Sequence, residues 1–154
     1  MSAPYLGRCF CGDIRYRVTQ EPITYYLCHC TECQQRTGSA FALSLWVRRA
    51  SLEVLAGEPS KYVVGPEGGK TKTACYCARC TARLWGEPAA APDLAIVQPG
   101  TLDQPTGLEP VAHIWTRSAQ PWFVFPPDAV KYEVQPPDMA ELALLWQRRN
   151  PTSG

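Results

Sequence analysis

From Leu6 to Val18 the chain reads LGRCFCGDIRYRV, and Ile14, Tyr16 and Val18 alternate with Arg15 and Arg17. That period of two predicts a half-buried strand, and Cys11, Gly12 and Asp13 supply a turn, so the segment is expected to form a hairpin carrying a Cys-x-Cys pair. ITYYLCHC predicts another strand running into a cysteine cluster, and TECQQRTG predicts a helical turn ended by Gly38. SAFALSLWVRR and SLEVLAG read as strands. KYVVGPEGGKTKTACYCARC is loop-rich: Gly65, Pro66, Gly68 and Gly69 break the chain before a strand that delivers Cys75 and Cys77. Beyond it, LAIVQPG, AHIWTRS and WFVFP are short β-like runs punctuated by proline. Only DMAELALLWQRR, from Asp138 to Arg149, has helical spacing, with Met139, Leu142, Leu145 and Trp146 on one face.

Composition agrees with this strand-rich pattern, because 15 prolines and 11 glycines favour turns and sheet edges over long helices. At 154 residues and 45% hydrophobic content, one globular domain with a real core is expected. Fifteen Lys+Arg against 14 Asp+Glu give a net charge of +1, so no long-range field favours nucleic acid or an anionic membrane. The most apolar stretch, AFALSLWV, falls far short of the roughly 20 residues that span a bilayer. MSAPYLGRCFCGDIRY lacks the basic start and apolar run of a secretory signal, and a cytoplasmic location is expected.

In a reducing compartment, eight cysteines are expected to remain thiols available to metals. Zinc prefers thiolates in a tetrahedron; structural sites use four protein ligands, while catalytic sites commonly use three and leave one position exchangeable. Pairing Cys9 and Cys11 with the Cys77-x-x-Cys80 turn completes a four-thiolate site. Cys28, Cys30 and Cys33 then form a separate trio, and Cys75 is the candidate for its fourth ligand. Residues two apart on a strand face the same way within about 7 Å, so Cys75 is expected beside Cys77 instead. His29, between two ligands, is expected to point away. The spacing therefore favours an open site, with closure by Cys75 as the alternative.

GRCFCGDIRY, CHCTECQQRTGSAF and TACYCARCTARLWG, in this order, resemble the three cysteine motifs of the glutathione-dependent formaldehyde-activating enzyme family. QPGTLDQP and HIWTRSAQPW resemble that family's later motifs, so the likeness covers roughly Leu6 to Pro126. The resemblance implies a mainly β fold, the β-tent of small antiparallel sheets around zinc, and leaves the short C-terminal helix outside it. The expected organisation is a zinc-binding β-tent domain over 1–137, with the helix and tail of 138–154 packed on the same domain. Matched residue by residue, Cys9, Cys11, Cys77 and Cys80 would hold a structural zinc, and Cys28, Cys30 and Cys33 a catalytic one. Two departures stand out: Thr81 replaces the family's usual glycine after the last cysteine, and Cys75 is extra.

By the same resemblance the chain is expected to be a carbon–sulfur lyase with two zinc ions. Glutathione would be its co-substrate, and the chain would form or cleave the adduct of this thiol with formaldehyde or another small aldehyde. His113 is a candidate general acid or substrate contact, and Arg36 and Arg117 are candidates for holding a glutathione carboxylate. Trp115 and Trp122 are expected mainly to fill the core, and Asp103 to form a turn. The apolar face of the last helix is expected to pack on the sheet or on a second subunit. The competing expectation is a non-catalytic zinc β-tent module that presents a surface to a protein partner.

Overall fold

A computed structural model describes residues 2–65 and 70–151. Gly65, the first of the four predicted breakers, is in place with φ 131°, whereas Pro66, Gly68 and Gly69 lie outside the described residues. The strands are β1 (Tyr5–Arg8), β2 (Arg15–Val18), β3 (Thr24–Cys28), β4 (Ala42–Arg48), β5 (Leu52–Ala56), β6 (Ser60–Val64), β7 (Lys72–Tyr76), β8 (Arg83–Pro88), β9 (Leu94–Val97) and β10 (Ala112–Ile114). Among the described residues two α-helices accompany them, α1 (Thr31–Thr37) and α2 (Ala140–Arg149). The fold is mainly β with a short C-terminal helix, as expected. It divides into two compact units, Met1–Pro22 with Leu45–Leu108 and Ile23–Ser44 with Glu109–Gly154.

In the first unit β1, β2 and β5 form an antiparallel sheet in that order, and the β1–β2 hairpin pairs Arg8 with Arg15 across the predicted turn. A second antiparallel run begins with Leu45–Arg48 of β4 and continues through β9, β8, β7 and β6. Alternation on β2 drives Tyr16 and Val18 inward, where the Tyr16 ring meets Trp85 edge to face at 5.5 Å. Gly7 lies against the Tyr16 ring so closely that a Cβ there would collide with it.

In the second unit every residue of β3 is buried, and β10 lies parallel to it, with His113 opposite Leu27 and Ile114 opposite Cys28. Antiparallel sheets were the expectation, and this pair departs from it. Parallel neighbours need a long crossover, which the many residues between β3 and β10 supply. The helix α2 covers β3: Thr24 Oγ1 donates to the Leu142 carbonyl at 2.8 Å, and Leu142 and Trp146 are buried, as the 3.6-residue period requires.

The segments β6 and β8 were not anticipated as strands, and WFVFP is not one. Gly86 and Pro88 disguise β8, while alternating apolar residues in WFVFP serve a different packing, described below.

Candidate metal centres

The first centre stands on two tight turns of the first unit. After β1 the chain turns with Gly12 at φ 84°, its N–H donating to the Cys9 carbonyl at 3.1 Å. The Ile14 N–H donates to Cys9 Sγ at 3.3 Å. The second turn follows β7: the Thr81 N–H donates to the Cys77 carbonyl at 2.8 Å, and the Cys77 N–H to the Ala82 carbonyl at 3.0 Å. Thr81 holds φ 64°, the left-handed conformation that the usual glycine adopts freely. Cys9, Cys11, Cys77 and Cys80 place their four sulfurs within 4.8 Å of one another. The Cys9–Cys11 and Cys11–Cys77 sulfurs are 3.6 and 3.7 Å apart. Zinc–sulfur bonds of about 2.3 Å give a tetrahedral edge of about 3.8 Å, so the quartet fits that ion. Hydrogen bonds from the Cys11 and Ala82 N–H groups pull the Cys80 thiol down to about 6, towards the ligating thiolate form.

The second centre belongs to the second unit. Cys28 ends β3, Cys30 caps α1 by accepting the Cys33 N–H at 3.3 Å, and Cys33 lies in the first turn of the helix. Gly38, at φ 66°, ends α1 with its N–H on the Gln34 carbonyl, as predicted. The sulfurs of Cys28, Cys30 and Cys33 lie within 4.8 Å of one another, and no fourth Cys, His, Asp or Glu joins them among the described residues. Three thiols at this spacing also suit a tetrahedral ion. Sharing a proton with Cys28 lowers the Cys33 thiol to about 5, with Cys30 and the Arg36 guanidinium adding to the shift. The same hydrogen bond, followed by burial, raises Cys28. Arg36 Nη2 donates to Cys33 Sγ at 3.3 Å.

Cys75 is buried on β7 with its thiol directed at Glu87 Oε1, 3.9 Å away. It belongs to neither cysteine group. A register shift between Cys75 and Tyr76 separates it from the strict alternation that would set it beside Cys77. Burial, then the Glu87 charge, pushes this thiol up to about 11.

His29 is fully buried, and its Nε2 lies 3.0 Å from His113 Nδ1. Phe123 and Phe125 surround both imidazoles, and Phe41 packs on His29. Here lies the role of the alternating apolar residues in WFVFP. Burial, with the His113 charge, lowers His29 to about 4; burial and Lys131 also lower His113. Both rings are therefore neutral at pH 7.

Gln34 and Gln120 were not anticipated. Gln34 Nε2 donates to the carbonyls of His29 and Ser118, at 2.8 and 2.9 Å, and Gln120 Nε2 donates to Gln34 Oε1 at 2.6 Å. This bracket ties the cysteine segment to the chain beyond β10. Arg117 is exposed and lies over the Trp115 ring at 5.1 Å, while Trp122 is 68% exposed rather than core. Asp103 donates its N–H to the Leu6 carbonyl and sits 4.0 Å from Arg8 Nε.

A family model described as glutathione-dependent formaldehyde-activating enzyme matches residues 4–118, a span that includes all eight cysteines. The chain belongs to this family. A Halomonas elongata protein named for the same enzyme is 29% identical over 83 residues, 51% of this chain and 53% of that protein. The match thus spans about half the length of that curated relative. A crystal structure of a Rhodobacter sphaeroides protein is similar in fold, with a TM-score of 0.53 at 20% identity, covering 82% of this chain and 98% of that one. No helix among the described residues is long and apolar enough to cross a membrane.

Proposed function

We propose that the chain is a zinc-dependent carbon–sulfur lyase that binds the glutathione thiol at the three-cysteine centre and forms or cleaves its adduct with formaldehyde or another small aldehyde. The observation that carries this reading is the convergence of three sulfurs with no fourth protein donor among the described residues. The four-cysteine centre is assigned a structural zinc.

A zinc ion held by Cys28, Cys30 and Cys33 would supply a Lewis-acid position at which a soft thiol is kept as thiolate at neutral pH. In adduct formation the glutathione sulfur attacks the carbonyl carbon and a carbon–sulfur bond forms. The π pair moves to the oxygen, which takes up a proton. Cleavage runs the same electrons backwards. Cys30 and Cys33 keep their orientation through the α1 cap, and the Gln34 bracket holds the segment that carries them.

His113, neutral in its phenylalanine cage, is assigned to proton handling or substrate contact. Arg117, exposed above Trp115, is assigned to a glutathione carboxylate. Small size, near-balanced charge and the absence of a long apolar helix among the described residues fit a cytoplasmic enzyme of small molecules.

Thiols add to formaldehyde unaided, so the decisive assay measures acceleration of exchange. Carbon-13 exchange NMR of glutathione and labelled formaldehyde should show faster interconversion with the zinc-loaded protein, and Cys28→Ser should abolish the gain. Exchange no faster than in buffer, for formaldehyde and for a panel of small aldehydes, would remove the lyase reading.

A further inference from the structure

Arg36 presents a guanidinium fork that is half used. Its Nη2 donates to Cys33 Sγ at 3.3 Å, while its Nε is shielded from solvent and has no partner among the described residues. The Nε–H and Nη2–H bonds of a guanidinium point the same way, which suits the group to two adjacent acceptors. A partner for Nε therefore belongs beside Cys33 Sγ, where the three sulfurs converge. A buried donor left without an acceptor is unfavourable, so the site as folded favours a ligand that accepts from it.

We infer that Arg36 reads the ligand occupying the open position of the three-cysteine centre, its Nε donating to the sulfur of the incoming thiolate while Nη2 holds Cys33. This inference rests on the proposed lyase function and deepens it. It moves Arg36 from the distant carboxylate of glutathione to the sulfur-bearing end. The charge of the centre favours the same assignment. Three thiolates around a divalent ion carry a net charge of −1 and a fourth brings it to −2, so a fixed guanidinium beside them offsets the added anion. Arginine suits this place better than lysine, because an ammonium cannot present two parallel donors in one plane.

The test compares wild type, Arg36→Lys and Arg36→Gln, each zinc-loaded, by metal analysis and by calorimetric titration with reduced glutathione. Oxidised glutathione and S-methylglutathione, which lack a free thiol, serve as controls. Arg36→Lys should keep its zinc and bind reduced glutathione about tenfold more weakly, and Arg36→Gln more weakly still, whereas binding of the thiol-blocked controls should be weak and unchanged. Equal glutathione affinity in wild type and Arg36→Lys would overturn the inference and leave the lyase reading standing. Loss of zinc from Arg36→Lys would also overturn it, making Arg36 a support for the metal. An equal loss of affinity for the thiol-blocked controls would return Arg36 to the carboxylate. A zinc-loaded wild type that binds no glutathione would overturn both readings.

Discussion

The two cysteine centres use the same sulfur chemistry and are supported by different parts of the chain. In the quartet the sulfurs of Cys9 and Cys80 receive main-chain N–H groups, from Ile14 to Cys9 and from Cys11 and Ala82 to Cys80. Such donors come with the turn itself, whatever the neighbouring side chains. In the trio backbone N–H groups serve Cys28, from Cys30, and Cys30, from Cys33, but Cys33 itself is engaged by the Arg36 side chain, and Gln34, His29 and His113 crowd the same segment. A side chain can be chosen for its charge and reach, and its placement beside a sulfur adds specificity at the expense of tolerance. On the proposed function, this contrast is the one expected between a structural staple and a reaction site.

The largest expected difference comes from removing one sulfur from each centre. Cys80→Ser should release the quartet's zinc and unfold the first unit, because a structural metal site contributes most of its binding free energy to folding. Cys28→Ser should lose one zinc and keep a cooperative thermal transition. Metal analysis beside circular dichroism melts of the two variants checks this, and equal unfolding by both would erase the division of labour.

The chain's only two histidines are His29 and His113, in the trio's unit. His29 has a folded value of about 4, below the ordinary 6.5, so the unfolded chain binds protons first as pH falls. The stability that this ring contributes is complete above pH 6.5 and is lost as pH falls towards 4, by up to about 3 kcal/mol. NMR titration of the two imidazoles should give midpoints below 6.5 for both, with His29 the lower. Midpoints at or above 6.5 would contradict the buried neutral pair.

A hairpin variant follows. Gly7→Ala should destabilise the first unit by about 1–3 kcal/mol, because the added Cβ meets the Tyr16 ring and one of the two must move. Urea unfolding reads the cost.

The smallest effect has the opposite sign. Thr81→Gly should stabilise the quartet's second turn by about 0.5–1 kcal/mol, the relief of a β-branched residue at φ 64° less the extra chain entropy of glycine. A chemical melt showing Thr81→Gly to be less stable than wild type would mean that the Thr81 Oγ1 hydrogen bond to the Cys80 carbonyl, at 2.6 Å, outweighs the strain.

These residues also show what the chain discloses before it folds. The individual ligand turns were legible because their spacing is local: Cys9 and Cys11 share one turn, Cys77 and Cys80 another, and Cys28, Cys30 and Cys33 fall within six positions. That the first two turns share one centre, with Cys11 and Cys77 66 residues apart, followed only from completing a four-thiolate set and from the family resemblance. The hairpin, α1 with Gly38 and the amphipathic α2 were legible for the same reason. The histidine pair was not, since His29 meets His113 only when β3 and β10 align in parallel, and no local pattern encodes a contact 84 residues apart. Gln34 was hidden likewise, its Ser118 and Gln120 partners lying 84 and 86 residues away. WFVFP misled because alternating apolar residues suit a strand and a ring cage equally well. Arg36 was legible as a cation near the site, but its engagement with Cys33 depends on the turn of α1 that sets the two three residues apart.

Zinc-edge anomalous diffraction from crystals of the zinc-loaded protein, with and without glutathione, distinguishes an open three-cysteine centre from a closed one. Zinc should occupy both centres, with the ion at Cys28, Cys30 and Cys33 carrying an exchangeable light ligand that glutathione sulfur replaces. A fourth protein ligand there, unmoved by glutathione, would contradict the open centre.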